Sequence, residues 1–236
     1  MEENEIRKLE SEIHQEFQLE RVVLFSDAVF AIAITLMVIE LKIPEVSKNE
    51  SADQFWWSMG PLVLNFVAFL ASFFFIGMFW YRHLKLCGLL IDYNRTFIIL
   101  NLLFLFFIVL IPFSVSSFMR LSMAYRLFAT ILYFSNIFLA TVTHFILYMY
   151  LLRKGKGICK PISDHEKKIL IEQSLIPVIF LSIIMIPLIL SATIFHDHPE
   201  YFGVIFLPVA LVLFFVRRRF RTRHKKIKEK ILSNSD

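Results

Sequence analysis

Six stretches of this chain are apolar over close to the length that a helix needs to cross a bilayer, about 20 residues. Short polar segments separate them, and most Lys and Arg residues collect in those segments. The pattern predicts an all-α integral membrane protein with six transmembrane helices. These spans lie at 21–43, 61–81, 96–119, 127–152, 173–195 and 201–216.

Several spans depart from a regular apolar helix. The sixth is short, and Arg217 is placed to lengthen it by extending its charged end to the interface. Proline removes a backbone donor inside a helix, so kinks are expected where it interrupts a span. The third, fifth and sixth spans contain such residues, namely Pro112, Pro177, Pro187 and Pro208.

The basic residues predict the orientation of the spans. With the N-terminus inside, the inner segments carry 21 of the 25 Lys and Arg residues and the outer segments carry four. Positively charged segments stay on the cytoplasmic side, so both termini are predicted to be cytoplasmic. The inner segments are 1–21, 82–95, 152–168 and 217–236.

Composition also indicates a membrane protein, and the predicted spans divide it into three parts. Hydrophobic residues make up 57% of the chain and charged residues only 19%, which leaves too little polar surface for a soluble domain. We expect a cytoplasmic tail at 1–20, a membrane domain at 21–216 and a basic cytoplasmic tail at 217–236. Residues 1–20 lack the apolar core of a signal peptide, so the first span is expected to direct its own insertion.

The chain has a net charge of +5, which raises the question of which anionic molecules its basic residues contact. The basic residues lie beside apolar helices, which favours anionic lipid as the contact of the C-terminal tail and argues against nucleic acid. A plain topology anchor is the simpler explanation of that tail.

The first span carries an acid, Asp27, which is costly inside a membrane and is expected to face other helices. At about 100° per residue, a narrow stripe on this helix lies almost opposite Asp27. From spacing alone, helix packing is the simpler explanation of that stripe. It consists of Arg21, Phe25, Ile32, Thr35, Leu36 and Ile39.

The first three spans also resemble a known family. The segment Arg21-x-x-x-Phe25-Ser26-Asp27, which leads directly into an apolar span, resembles the signature of the transmembrane protein 175 potassium channels. The last three spans match that family only in number and hydrophobicity. Further matching positions in the second and third spans are Trp80, His83, Asn101, Pro112 and Phe113.

The resemblance implies a potassium-preferring cation channel in a prokaryotic plasma membrane, assembled as a homotetramer with potassium as the permeant ion. In that family the first helices line the pore, and rings of large aliphatic side chains form its constriction. The matching constriction residues are Ile32, Leu36 and Ile39, and Thr35 matches a position that contributes to potassium preference. The matching polar network comprises Arg21, Ser26, Asp27, Trp80 and His83.

The residues themselves add two expectations to this resemblance. The chain has no Thr-Val-Gly-Tyr-Gly segment and only six glycines, so selectivity must come from pore width, hydration and the Thr hydroxyls. Asp27 cannot pair with Arg21 on the opposite face of its own helix. We therefore expect Trp80 and His83 to donate hydrogen bonds to Asp27 from the second helix.

Other functions have weaker support. A secondary transporter of a small cation or solute is the main alternative, although the chain lacks an evident internal repeat. A lipid-organising or partner-binding protein is a third possibility, supported only by the basic tail. No enzyme motif, metal site or cofactor is expected. We interpret His196-Asp197-His198 as a polar turn, His144 as a hydrogen-bonded packing residue, and Cys87 and Cys159 as reduced thiols.

Overall fold

The structure is a computed structural model, and it describes residues 2–41, 51–120, 125–155 and 157–194. Within these residues the regular secondary structure is helical, and the only β-type pairing is an isolated bridge between Leu90 and Cys159. This confirms the predicted all-α class. The predicted sixth span, the basic tail and the His196-Asp197-His198 segment lie outside the described residues. The helices are α1 (Glu2–Ile39), α2 (Ala52–Cys87), α3 (Arg95–Arg120), α4 (Arg126–Lys154) and α5 (Asp164–Ile194).

Each of these five helices contains a stretch long and apolar enough to cross a membrane. The first five predicted spans are therefore confirmed as helices, and the chain is a multi-pass membrane protein. α1 is longer than its span, because its 38 residues would extend about 57 Å against a hydrocarbon core of about 30 Å. Most of the predicted N-terminal tail is therefore a continuation of the same helix. α3 and α5 also continue through Pro112, Pro177 and Pro187.

The described residues divide between two units, the first ending at Val178 and the second beginning at Ile179. In the first unit α3 packs along α4, and α1 lies against both α2 and α3. In the second unit the structure describes residues 179–194, which are helical and continue α5. These contacts make α1 a helix with neighbours on one side.

Two loops of the first unit pair with each other. The Ile91 N–H donates to the Ile158 carbonyl at 2.9 Å, and the Lys160 N–H donates to the Leu89 carbonyl at 2.8 Å. Gly157 allows the second loop to turn, because its φ of 86° is strained for residues with a side chain. Both loops therefore lie at one end of the bundle, as the predicted alternation requires. That this end is cytoplasmic stays a prediction.

Candidate functional site

The predicted stripe on α1 lies on the surface of the described chain. Phe25 is 53% exposed, Ile32 56%, Leu36 42% and Ile39 68%. The opposite side of the same segment is packed, since Phe30, Ala33 and Met37 are buried. α1 therefore has one face packed against other helices and one large apolar face that no neighbour within the described chain covers.

Thr35 lies on the exposed side of α1. Its hydroxyl Oγ1 is 3.0 Å from both the Ala31 and the Ile32 carbonyl oxygens, so the proton is donated into the preceding turn. This bond is a common arrangement for Thr in helices and leaves the oxygen lone pairs directed away from the backbone. The arrangement can present an acceptor oxygen next to Ile32 and Leu36.

Asp27 accepts a hydrogen bond from α2. The indole Nε1 of Trp80 on α2 donates to Asp27 Oδ1 at 2.9 Å, although the two residues are 53 positions apart in the chain. Asp27 is only partly buried, so its side chain is not fully enclosed by the described helices. The pair satisfies the acid without using the exposed stripe.

His83 does not join this pair. Both ring nitrogens of His83 are buried without a hydrogen-bond partner among the described residues, so the expected Asp27–His83 hydrogen bond is wrong. The ring instead lies 5.7 Å from Phe30, 5.4 Å from Phe104 and 6.1 Å from His144, between centroids. The physical reason is the helical rotation of about 60° between positions i and i+3. This rotation directs His83 into the core, whereas Trp80 stays at the edge.

Ser26 connects α1 to α3. The Asn101 amide Nδ2 donates to Ser26 Oγ at 2.9 Å, and that hydroxyl donates to the Val22 carbonyl at 3.1 Å. Both side chains are buried. Asn101 was part of the family pattern, but the sequence alone gave no reason to pair it with Ser26.

Arg21 lies apart from the acid. Its guanidinium donates to Gln18 Oε1 at 3.3 Å, and it borders an open groove of about 290 Å³ together with Phe25 and Asn101. Within the described chain the five predicted network residues are therefore distributed over separate contacts. These contacts are Arg21 with Gln18, Ser26 with Asn101, Asp27 with Trp80, and His83 in the aromatic core.

A further polar cluster was missed by sequence reasoning. Ser116 Oγ and Arg120 Nη2, both on α3, donate to Glu40 Oε2 at 2.6 Å and 2.7 Å. The available signal was limited to position, because Glu40 follows the apolar part of the first span and Arg120 ends the third. Their pairing confirms only that the two spans end at the same side.

Two remaining expectations concern His144 and metals. His144 is a packing residue, 4.7 Å from Phe104 and 5.2 Å from Tyr148 between ring centroids. Its Nε2 has no hydrogen-bond partner in the described part of the chain, so the expected hydrogen bond is absent at that atom. Among the described residues no group of three or more His, Cys, Asp or Glu is arranged to hold a metal ion.

The chain is similar to known proteins mainly in its first half. Residues 21–112 match the family model described as "Endosomal/lysosomal potassium channel TMEM175". The chain is 38% identical over 92 residues to a potassium channel of Chryseobacterium sp. (strain P1-3), which is 39% of this chain and 44% of that protein. It is 35% identical over 92 residues to a potassium channel of Streptomyces collinus, covering 39% and 43%. The matched part thus spans less than half of each relative.

Solved structures extend the similarity of the fold. The crystal structure of a lysosomal potassium-selective channel TMEM175 homolog from Chamaesiphon minutus superposes with a TM-score of 0.60 at 24% identity, covering 79% of this chain and 97% of that one. A crystal structure of the potassium channel MtTMEM175 gives a TM-score of 0.55 at 18% identity, covering 84% and 93%. The fold is shared over most of the chain, and the predicted family resemblance is confirmed over residues 21–112.

Proposed function

We propose, on the premise that residues 21–112 belong to the TMEM175 family, that this chain forms a potassium-preferring cation channel. Four copies assemble around a central axis, and α1 of each copy lines the pore. The relatives named as potassium channels support the permeant ion. The homotetramer follows the family resemblance.

The exposed apolar face of α1 is the observation that carries this proposal. Ile32, Leu36 and Ile39 all lie on it, while Asp27 and Ser26 hold the other side of the helix to α2 and α3. A lipid-facing helix would show the same exposure. What favours the pore is that this face coincides, residue by residue, with the positions that match the family constriction.

Ion flow through such a pore is controlled by wetting. Four copies each of Ile32, Leu36 and Ile39 form narrow apolar rings, which exclude ions when the passage is too narrow to hold water. A small rotation or splay of α1 widens the rings and lets water return. The polar contacts of Asp27 and Ser26 keep α1 in register during this change.

Selectivity in this mechanism comes from hydration and Thr35. The chain has no carbonyl-lined filter segment, so ions cross the rings with part of their water. The Thr35 oxygen, already oriented by its bond to the preceding turn, replaces part of the lost hydration. Potassium, which gives up water more easily than sodium, is favoured.

The test is the current through purified protein in planar bilayers. A channel gives unitary current steps under voltage alone, whereas a transporter or scaffold gives none. Ile32→Asn should hydrate the constriction and increase leak current. Ile146→Asn on α4 is the matched control, since Ile146 is also exposed but lies on a different helix. Equal currents in both variants and wild type would remove α1 from the pore.

A further inference from the structure

The polar cluster at the end of α1 has no part in the pore described so far. Ser116 and Arg120 lie one helical turn apart on α3, and both donate to the same oxygen of Glu40. The Glu40 side chain is 21% exposed and that of Arg120 57%. We call these three residues the Glu40 cluster.

Helix polarity strengthens this cluster. α1 ends at Ile39 and α3 ends at Arg120, so the carbonyl ends of two parallel helices lie next to each other. Each carbonyl end carries partial negative charge, and the Glu40 carboxylate adds a full one. Arg120 lies next to all three, so its positive charge is favourably placed at this end of the two helices.

Among the described residues, the cluster supplies the side-chain hydrogen bonds that connect this part of α1 to another helix. Between Asp27 and Glu40 the chain contains one polar side chain, Thr35, and that hydroxyl donates within its own helix. The two anchors are 13 residues apart, or about 20 Å along the helix. The intervening segment carries Ile32, Leu36 and Ile39 and is held to the subunit by apolar packing alone.

The backbone connects Glu40 to the outermost ring residue. The Glu40 N–H donates to the Met37 carbonyl at 3.3 Å, and the Leu41 N–H donates to the Val38 carbonyl at 3.1 Å. The helical turn therefore extends past Ile39. Fixing the Glu40 side chain to α3 consequently fixes the direction of the Ile39 side chain.

We propose that the Glu40 cluster is a latch, which holds the end of α1 against α3 and so sets the width of the apolar constriction. This proposal rests on the proposed channel function. Opening the latch frees the end of α1 to move away from α3, so the Ile39 ring widens and wets more often. Glu40 and Arg120 are positioning residues, because they act on the ions only through Ile39.

The experiment combines a structural and an electrical measurement. A spin label is placed at the exposed position 38, by Val38→Cys in a Cys87→Ala, Cys159→Ala background. Glu40→Gln should increase label mobility and raise open probability about tenfold, which corresponds to about 1.4 kcal/mol. Ser116→Ala should act in the same direction but less strongly. The pair Glu40→Arg with Arg120→Glu should return both values toward wild type.

Asp164→Asn is the matched control, since it removes an exposed ion pair, Asp164–Lys167 at 3.7 Å, on another helix. Unchanged label mobility in Glu40→Gln would overturn the latch. Increased mobility with a wild-type open probability would overturn its control of the constriction. If wild-type protein carries no current, the channel function fails, and label mobility alone then decides whether the latch exists.

Discussion

Replacing Asp27 by Ala removes the acceptor of the Trp80 indole while leaving the exposed stripe of α1 unchanged. We expect this change to destabilise the subunit rather than to alter ion preference. The reason is that Asp27 faces α2, whereas the stripe residues Ile32 and Ile39 face outward.

The expected magnitude follows from the geometry of the pair. A hydrogen bond to a charged group contributes about 1.5–3 kcal/mol in water, while hydrogen bonds between membrane helices average about 0.6 and reach about 1.7 kcal/mol. The 2.9 Å distance favours the upper part of the membrane range, and the partial exposure of both side chains favours a lower value. We therefore expect about 1–1.5 kcal/mol, or a melting temperature lower by about 2–6 °C.

The assay is thermal melting of the detergent-solubilised assembly, combined with reversal potentials in mixed potassium and sodium. Trp80→Phe keeps an aromatic ring without the donor, and a cycle with Asp27→Ala should give a coupling of about 1 kcal/mol. His83→Ala should add independently to Asp27→Ala, because the two side chains share no hydrogen bond. An Asp27→Ala protein with wild-type melting and changed ion preference would show that Asp27 faces the ions.

Three further results are expected. Thr35→Val, which removes the hydroxyl at nearly constant volume, should lower potassium preference over sodium without changing melting; an unmoved reversal potential would contradict this role. Leu36→Asn and Ile39→Asn should raise leak current as Ile32→Asn does, and unchanged currents in all three would exclude the apolar rings. Burial raises the pKa of Cys159 against the opposing effect of Lys160 and Lys167. In a Cys87→Ala protein, maleimide labelling of Cys159 should therefore be slow at pH 7 and still rise above pH 9.

The helices of the described chain could be predicted because hydropathy acts locally. A run of about 20 apolar residues has few alternatives to a membrane helix, since its backbone must be hydrogen-bonded within the segment. Helix ends were less predictable. α1 begins at Glu2, well before the predicted span, because charged residues such as Glu5 and Glu10 are compatible with a helix outside the bilayer.

Side-chain partners could be predicted only in part. The indole of Trp80 was expected to reach Asp27, and it does. His83 follows Trp80 by about one helical turn on α2. The placement of its ring depends on whether Phe30 and Phe104 leave space in the core. Periodicity gives the direction of a side chain along its own helix, but it does not say which neighbour lies in that direction.

Asp27 in α1 and Glu40, which directly follows the last residue of α1, show how far such reasoning reaches. Asp27 lies inside the span, where a carboxylate is costly, so it was expected to need donors from other helices. Glu40 follows the apolar part of the span, and its donors were not predicted. The sequence contains many donors, and the choice between them depends on how α1 packs against α2 and α3. In the packed structure Trp80 donates to Asp27. Ser116 and Arg120 both donate to Glu40. The segment between the two acids is left with an apolar face toward the subunit and an apolar face away from it. In the proposed tetramer, its position relative to the other copies therefore depends on the two polar anchors at its ends.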